Sequence, residues 1–224
     1  MNEILWFVFA IANFCLFLGM YKLFGKSGIY AWVAIATILA NIQVTKNITL
    51  FGINATLGNI MYGTIFLATD ALNEIFGKKS ATKAVMIGFY VLLAALILMQ
   101  ISLQFIPNDS DIADGALHTI FGFLPRLALG SLTAFAISQF LDVNLFQKIK
   151  SKFPENKFLW LRNNGSTFVS QLVDTLIFVP IAFLGVYDFP VVLEIFISTY
   201  LIKIMVAALD TPFLYLIKRI KPIQ

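Results

Sequence analysis

Apolar residues gather in seven long blocks, roughly 4–24, 29–44, 55–76, 84–106, 121–141, 165–186 and 191–217. Each approaches the ~20 residues that a helix needs to cross the hydrocarbon core of a bilayer. The second block is the shortest. It ends in Gln43, Thr45, Lys46 and Asn47, so a broken or re-entrant end is expected there. Polar residues fall mostly between the blocks, in short loops. The pattern predicts an all-α, polytopic integral membrane helix bundle of about seven transmembrane helices, forming one transmembrane domain over residues 1–224. The first 20 residues lack a basic leading stretch, and Glu3 is their only charge, so the first block is expected to be retained as a helix and not cleaved.

The distribution of charge orients the bundle. Thirteen of the 16 basic residues lie in alternate loops: Lys22 and Lys26, then Lys78, Lys79 and Lys83, then the stretch from Lys148 to Arg162, then Lys218, Arg219 and Lys221. The opposite loops hold Asp109, Asp111, Asp114 and Asp188, with Lys46 at their edge. Basic loops stay in the cytoplasm, which puts the N-terminus outside and the C-terminus inside. Leu145, Phe146, Ile149 and Phe153 alternate with lysines before Pro154, a pattern expected of a short amphipathic segment on the inner membrane surface.

Composition agrees. The chain is 59% hydrophobic and 12% charged, against about 25% charged in soluble domains, and its mean hydropathy is +0.86. The net charge of +4 belongs to the loop asymmetry and not to a nucleic-acid-binding stripe. With one cysteine, Cys15, and one histidine, His118, neither a disulfide framework nor a metal site of these ligands is expected. No cofactor motif is present, and neither a metalloprotease helix nor a serine-hydrolase elbow occurs.

The chemistry therefore rests on polar groups inside the apolar blocks, where they are costly and mark function or pairing. Asp70 and Glu74 are four residues apart, hence on one helix face a turn from each other, with Asn73 beside them. Asp70 lies deep enough to favour a role toward a ligand or watered cavity, whereas Glu74 also reads as an end residue reaching headgroup water. Asp174 lies about halfway along the sixth block and Lys203 about halfway along the seventh, so the two can meet. Such a pair serves either structure or transport. Gln171 is one turn before Asp174. Arg126 near the outer end of the fifth block either guides an anionic group or snorkels. Asn41 and Lys46 line the outer end of the second block, and Asp210 precedes the helix-bending Thr211-Pro212. Asp70-Ala-Leu and Asp174-Thr-Leu in oppositely directed blocks form a short echo of the kind an inverted repeat leaves.

Several stretches resemble the VUT family, the queuosine-precursor transporters of bacteria. They are Ala68-Thr-Asp-Ala-Leu-Asn-Glu-Ile-Phe-Gly-Lys-Lys, Trp160-Leu-Arg-Asn-Asn-Gly-Ser-Thr, Ser170-Gln-Leu-Val-Asp-Thr, Tyr200-Leu-Ile-Lys and Asp210-Thr-Pro. The likeness covers a core of about 29–218, with 1–26 as an additional first helix. It implies a multi-pass protein of the cell inner membrane that takes up 7-cyano- or 7-aminomethyl-7-deazaguanine for tRNA modification. The implied partners are a nucleobase-like small molecule and the lipid bilayer, without nucleic acid. A homo-oligomer or a separate energising module remains open. Asp70, Asn73, Glu74, Gln171, Asp174, Asn41, Lys46 and Arg126 are the candidate substrate contacts, and Lys203 and Asp210 the structural or coupling residues. Two rival classes remain: a substrate-capture subunit of a multi-component importer, and a membrane enzyme acting on a lipid-soluble substrate.

Overall fold

A computed structural model describes residues 1–122 and 124–223, with the side chains of residues 47, 53, 54 and 124–128 outside the description. The chain is almost wholly helical: α1 (Asn2–Gln43), α2 (Asn59–Phe76), α3 (Lys78–Ser102), a short α4 (Asp114–Phe121), α5 (Leu124–Lys152), α6 (Leu159–Phe183) and α7 (Phe189–Ile217). A hairpin of β1 (Asn47–Leu50) and β2 (Ile53–Thr56) separates α1 from α2. Among the described residues, five helices (α1, α3, α5, α6 and α7) have the length and apolar character to cross a membrane.

The first two apolar blocks are one 42-residue element broken at Gly25, whose φ of 56° and ψ of −136° suit glycine alone. At Gly28, after the break, a Cβ would lie 2.1 Å from the Met20 carbonyl oxygen, so the two halves meet too closely for any side chain. The polar end of the second block leads into the hairpin. Its turn residues Phe51 and Gly52 both have positive φ, as a two-residue hairpin turn demands. Asn2 donates to the Thr49 carbonyl at 3.1 Å, and Glu3 accepts from the Phe51 amide at 3.3 Å, tying the hairpin to the start of α1.

The central post is α2, with 14 of its 18 residues buried. It packs on α1, α3 and α7, and at Gly63 the α7 side chain of Val206 would sit only 2.3 Å from an added Cβ. A helix covered on all sides reads as apolar all round. Its polar residues must then find partners inside the protein.

The most extensive contact is between α5 and α6, and there the usual amphipathic pattern is inverted. Asn163, Ser166, Thr167, Ser170, Gln171 and Asp174 follow the three- and four-residue spacing of one helix face, and all are buried. Val169 and Leu176 on the other face are about half exposed, as suits a surface that meets lipid. The amphipathic surface segment expected after Val143 is not separate. Instead α5 continues to Lys152, with Val143 and Phe146 buried against the bundle.

Candidate functional site

A cavity of about 300 Å³ opens among the end of α1, β2, the start of α2, and α5, α6 and α7. Its wall includes Asn41, Asn59, Tyr62, Phe178, Phe183 and Thr199, with Asp174 and Lys203 together at one side. Asp174 has its partners from three other helices. Lys203 Nζ donates to its Oδ2, Tyr62 Oη donates to its Oδ1 at 2.7 Å, and Ser138 Oγ donates to the same oxygen at 3.0 Å. The Lys203 ammonium also lies 5.0 Å from the centre of the Tyr62 ring. Both charges are almost wholly buried, at 3% and 5% side-chain exposure. An acid and a base that would each be costly alone are here mutually satisfied. The arrangement offers a carboxylate, an ammonium, a phenol and two amides beside aromatic walls, a set suited to the polar edge of a flat heterocycle.

The other expected contacts are divided among different places. Asn41 is on the cavity wall. Gln171 is buried one turn from Asp174, with its side-chain carbonyl unpartnered, but is not among the lining residues. Lys46 is exposed in the loop before the hairpin and also lies off the wall. The Arg126 side chain falls outside the described residues.

Asp70, Asn73 and Glu74 do not reach the cavity. The α2 helix carries them away from it, and Glu74 is twelve residues beyond Tyr62, roughly 18 Å along the axis. Glu74 is engaged by cations instead. It holds Arg162 through two bonds, Nε to Oε2 at 3.1 Å and Nη2 to Oε1 at 2.8 Å, and it also meets Lys150 and Lys218 at 3.2 and 2.6 Å. Lys150 further caps the end of α2 by donating to the carbonyls of Asn73 and Glu74. Asn73 braces α5, its Nδ2 donating to the Val143 carbonyl at 2.9 Å.

Arg162 is not the loop cation that its neighbours in sequence imply. It is fully buried. Its remaining nitrogen, Nη1, donates to the carbonyls of Phe153 and Glu155, so the guanidinium fork also closes the α5–α6 turn.

Asp70 is fully buried in a second polar cluster, where Thr167 donates to its Oδ2 at 3.3 Å. Asp142 in turn accepts from Ser170 at 2.9 Å, and Asp210 accepts from Asn163 at 2.8 Å. Asp142, Tyr62 and Ser138 are the polar residues absent from the expected set. A block that closes at residue 141 leaves Asp142 outside it, while Ser138, uncharged, is inconspicuous within it.

Two comparisons place the chain. The family described as "Putative vitamin uptake transporter" matches residues 56–217, from the end of the hairpin through α7. A Bacillus subtilis (strain 168) protein named "Probable queuosine precursor transporter" is 54% identical over 221 residues, covering 99% of this chain and 96% of the relative. The "Queuosine precursor transporter" of Escherichia coli (strain K12) is 31% identical over 144 residues, 64% of this chain and 62% of that protein. No solved structure matches. With similarity running through every helix that builds the cavity, the chain belongs to the vitamin uptake transporter family.

Proposed function

We propose that this protein imports a queuosine precursor, a 7-deazaguanine base, across the cytoplasmic membrane, and that the cavity bearing Asp174 and Lys203 is where the base binds. The naming of its relatives supports the cargo. The single observation that carries the site is a carboxylate and an ammonium at the wall of a cavity inside an apolar bundle. A guanine-like edge presents N1–H and an exocyclic amine side by side, which one carboxylate accepts together, while O6 accepts from an ammonium or amide. Asp174 and Lys203 supply both halves. A volume of about 300 Å³ stands at the lower end of the ~300–1,000 Å³ of small-molecule sites, a size for a base without its sugar. Tyr62 and Phe178 offer faces for stacking.

In this reading the two halves of α1 are separate spans and α2 is the third, giving seven in all. The N-terminus and the hairpin are outside, and the knot around Glu74 is cytoplasmic. The cavity, which shares the end of the hairpin, then faces outward. Two neighbouring buried carboxyls also occur in acid hydrolases. Here the cavity lies elsewhere, at Asp174, which favours transport over catalysis at Asp70 and Asp142.

The test is made in a bacterial host that lacks both its own precursor synthesis and its own importer. Expressing this protein should restore queuosine to tRNA when 7-cyano- or 7-aminomethyl-7-deazaguanine is supplied at low concentration. Asp174→Asn at equal membrane abundance should not. Well-expressed wild-type protein that yields no queuosine would overturn the proposal.

A further inference from the structure

We infer that Asp70 and Asp142 form a proton-binding site, and that one proton crosses inward with each substrate molecule. The inference rests on the transport reading but concerns a different place in the fold. Asp70 comes from α2, Asp142 from α5 and Asp210 from α7, all three at most 1% exposed. The fourth helix of this nest, α6, adds Asn163, Thr167 and Ser170 but no charge toward it. Nearby cations are engaged elsewhere: Lys203 by Asp174, and Arg162, Lys150 and Lys218 by Glu74. Among the described residues no cation meets any of the three acids.

The hydrogen-bond inventory of the nest is short of donors. Asp70 Oδ1 and Asp142 Oδ2 have no partner. Asn163, 1% exposed, directs its amide into the same nest: Nδ2 reaches Asp210, and Oδ1 has no partner either. These are three buried acceptors, and two belong to carboxyls held side by side against α6, Asp70 by Thr167 and Asp142 by Ser170 one turn on. Two anions in contact inside a membrane are strongly disfavoured, whereas one hydrogen placed between them removes a charge and makes a bond. A divalent metal fits less well, because no group of three or more acids or histidines among the described residues is arranged to enclose one, and a monovalent cation is the alternative that the sodium gradient below tests.

A reversible site must also tolerate the empty form. Gln139 is the candidate for this. Fully buried one turn before Asp142, it accepts from Thr69, the neighbour of Asp70, at 3.3 Å, while its Nε2 is an unused donor. Turned toward the ionised pair, that nitrogen would replace the departing hydrogen.

The nest is linked to the substrate cavity by a crossed pair of bonds between antiparallel helices. Ser138 of α5 donates to Asp174 of α6, and one turn on, Ser170 of α6 donates to Asp142 of α5. A base that takes hydrogen-bond positions on Asp174 competes with Ser138, and the displacement passes one turn along α5 to Asp142. The proton enters the pair from the outer side with the base bound and leaves to the cytoplasm after the base. Nothing else is consumed or produced.

Purified full-length protein in liposomes containing a pH-sensitive dye tests this with labelled 7-cyano-7-deazaguanine. Uptake should acidify the interior. With the membrane potential clamped, an inward gradient of one pH unit should concentrate the base about tenfold, and a sodium gradient should not. Asp142→Asn should abolish gradient-driven accumulation while exchange of internal for external base persists. Accumulation without proton movement, driving by sodium, or accumulation by Asp142→Asn each overturns the inference. If no base moves at all, the transport proposal fails. Infrared difference spectra between acid and alkaline pH then decide the proton site alone. Wild-type protein should show a protonated-carboxyl band that Asp70→Asn or Asp142→Asn removes, and a spectrum without such a band refutes it.

Discussion

Replacing Asp174 by Asn leaves the Lys203 ammonium buried without a counter-charge. The substitution keeps the shape, and Tyr62 and Ser138 can still bond to the amide oxygen, so the loss is confined to the ion pair. Removing one member of a buried pair costs about 3–5 kcal/mol. The Tyr62 ring remains 5.0 Å from the ammonium and supplies a part of the lost attraction, which favours the lower end, about 3 kcal/mol. For a chain of this size that is roughly 6–12 °C in unfolding temperature. The double variant Asp174→Asn/Lys203→Met removes both charges, and should regain most of that stability while remaining unable to bind the base. Thermal unfolding of the detergent-purified proteins, followed by size-exclusion recovery after heating, measures all four members of the cycle. If the single substitution unfolds within a degree of wild type, or the double falls by the sum of the singles, the two groups do not depend on each other and the pairing is refuted.

Arg162→Lys should lose about 1–3 kcal/mol of stability, since a lysine cannot hold Glu74 and the Phe153 and Glu155 carbonyls at once; a heat-stability profile equal to wild type would contradict this. Gly63→Ala should cost about 1–3 kcal/mol by driving a methyl to 2.3 Å from Val206, and adding Val206→Ala should return most of it in the same assay. In a Cys15→Ala background, Ser110→Cys should react with an impermeant maleimide in whole cells and Ser151→Cys should not; both positions are exposed, so external labelling at 151 would invert the proposed orientation.

The long helices were legible because most of the apolar blocks are long, whereas the short α4 was not, and the pairing of Asp174 with Lys203 was legible because each stands alone in mid-block. What hydropathy cannot see is a charge neutralised by a partner distant in sequence. Asp142 and Arg162 look like the edges of blocks, since charge is where a block is judged to end. In the folded chain α5 runs ten residues past Asp142, and Arg162 is buried against Glu74, 88 positions away. Asp70 is the reverse case. Its depth is plain from the sequence, but the helix that faces it is not, so a substrate was the natural partner to expect and Thr167 of α6 the one present. The hairpin was similarly masked: its short strands lie where a broken second block and the beginning of the third meet.

The knot at Glu74 bears on how the bundle can move. Lys150, Arg162 and Lys218 come from α5, from the start of α6 and from just beyond the end of α7, and all three converge on one carboxylate of α2. Four helices are thus lashed at a single point, while the opposite end is propped apart by a cavity. Such a frame behaves as a tripod whose legs spread only on the side away from the lashing. To spread on the other side, the carboxylate must surrender its cations or carry them along on one moving half.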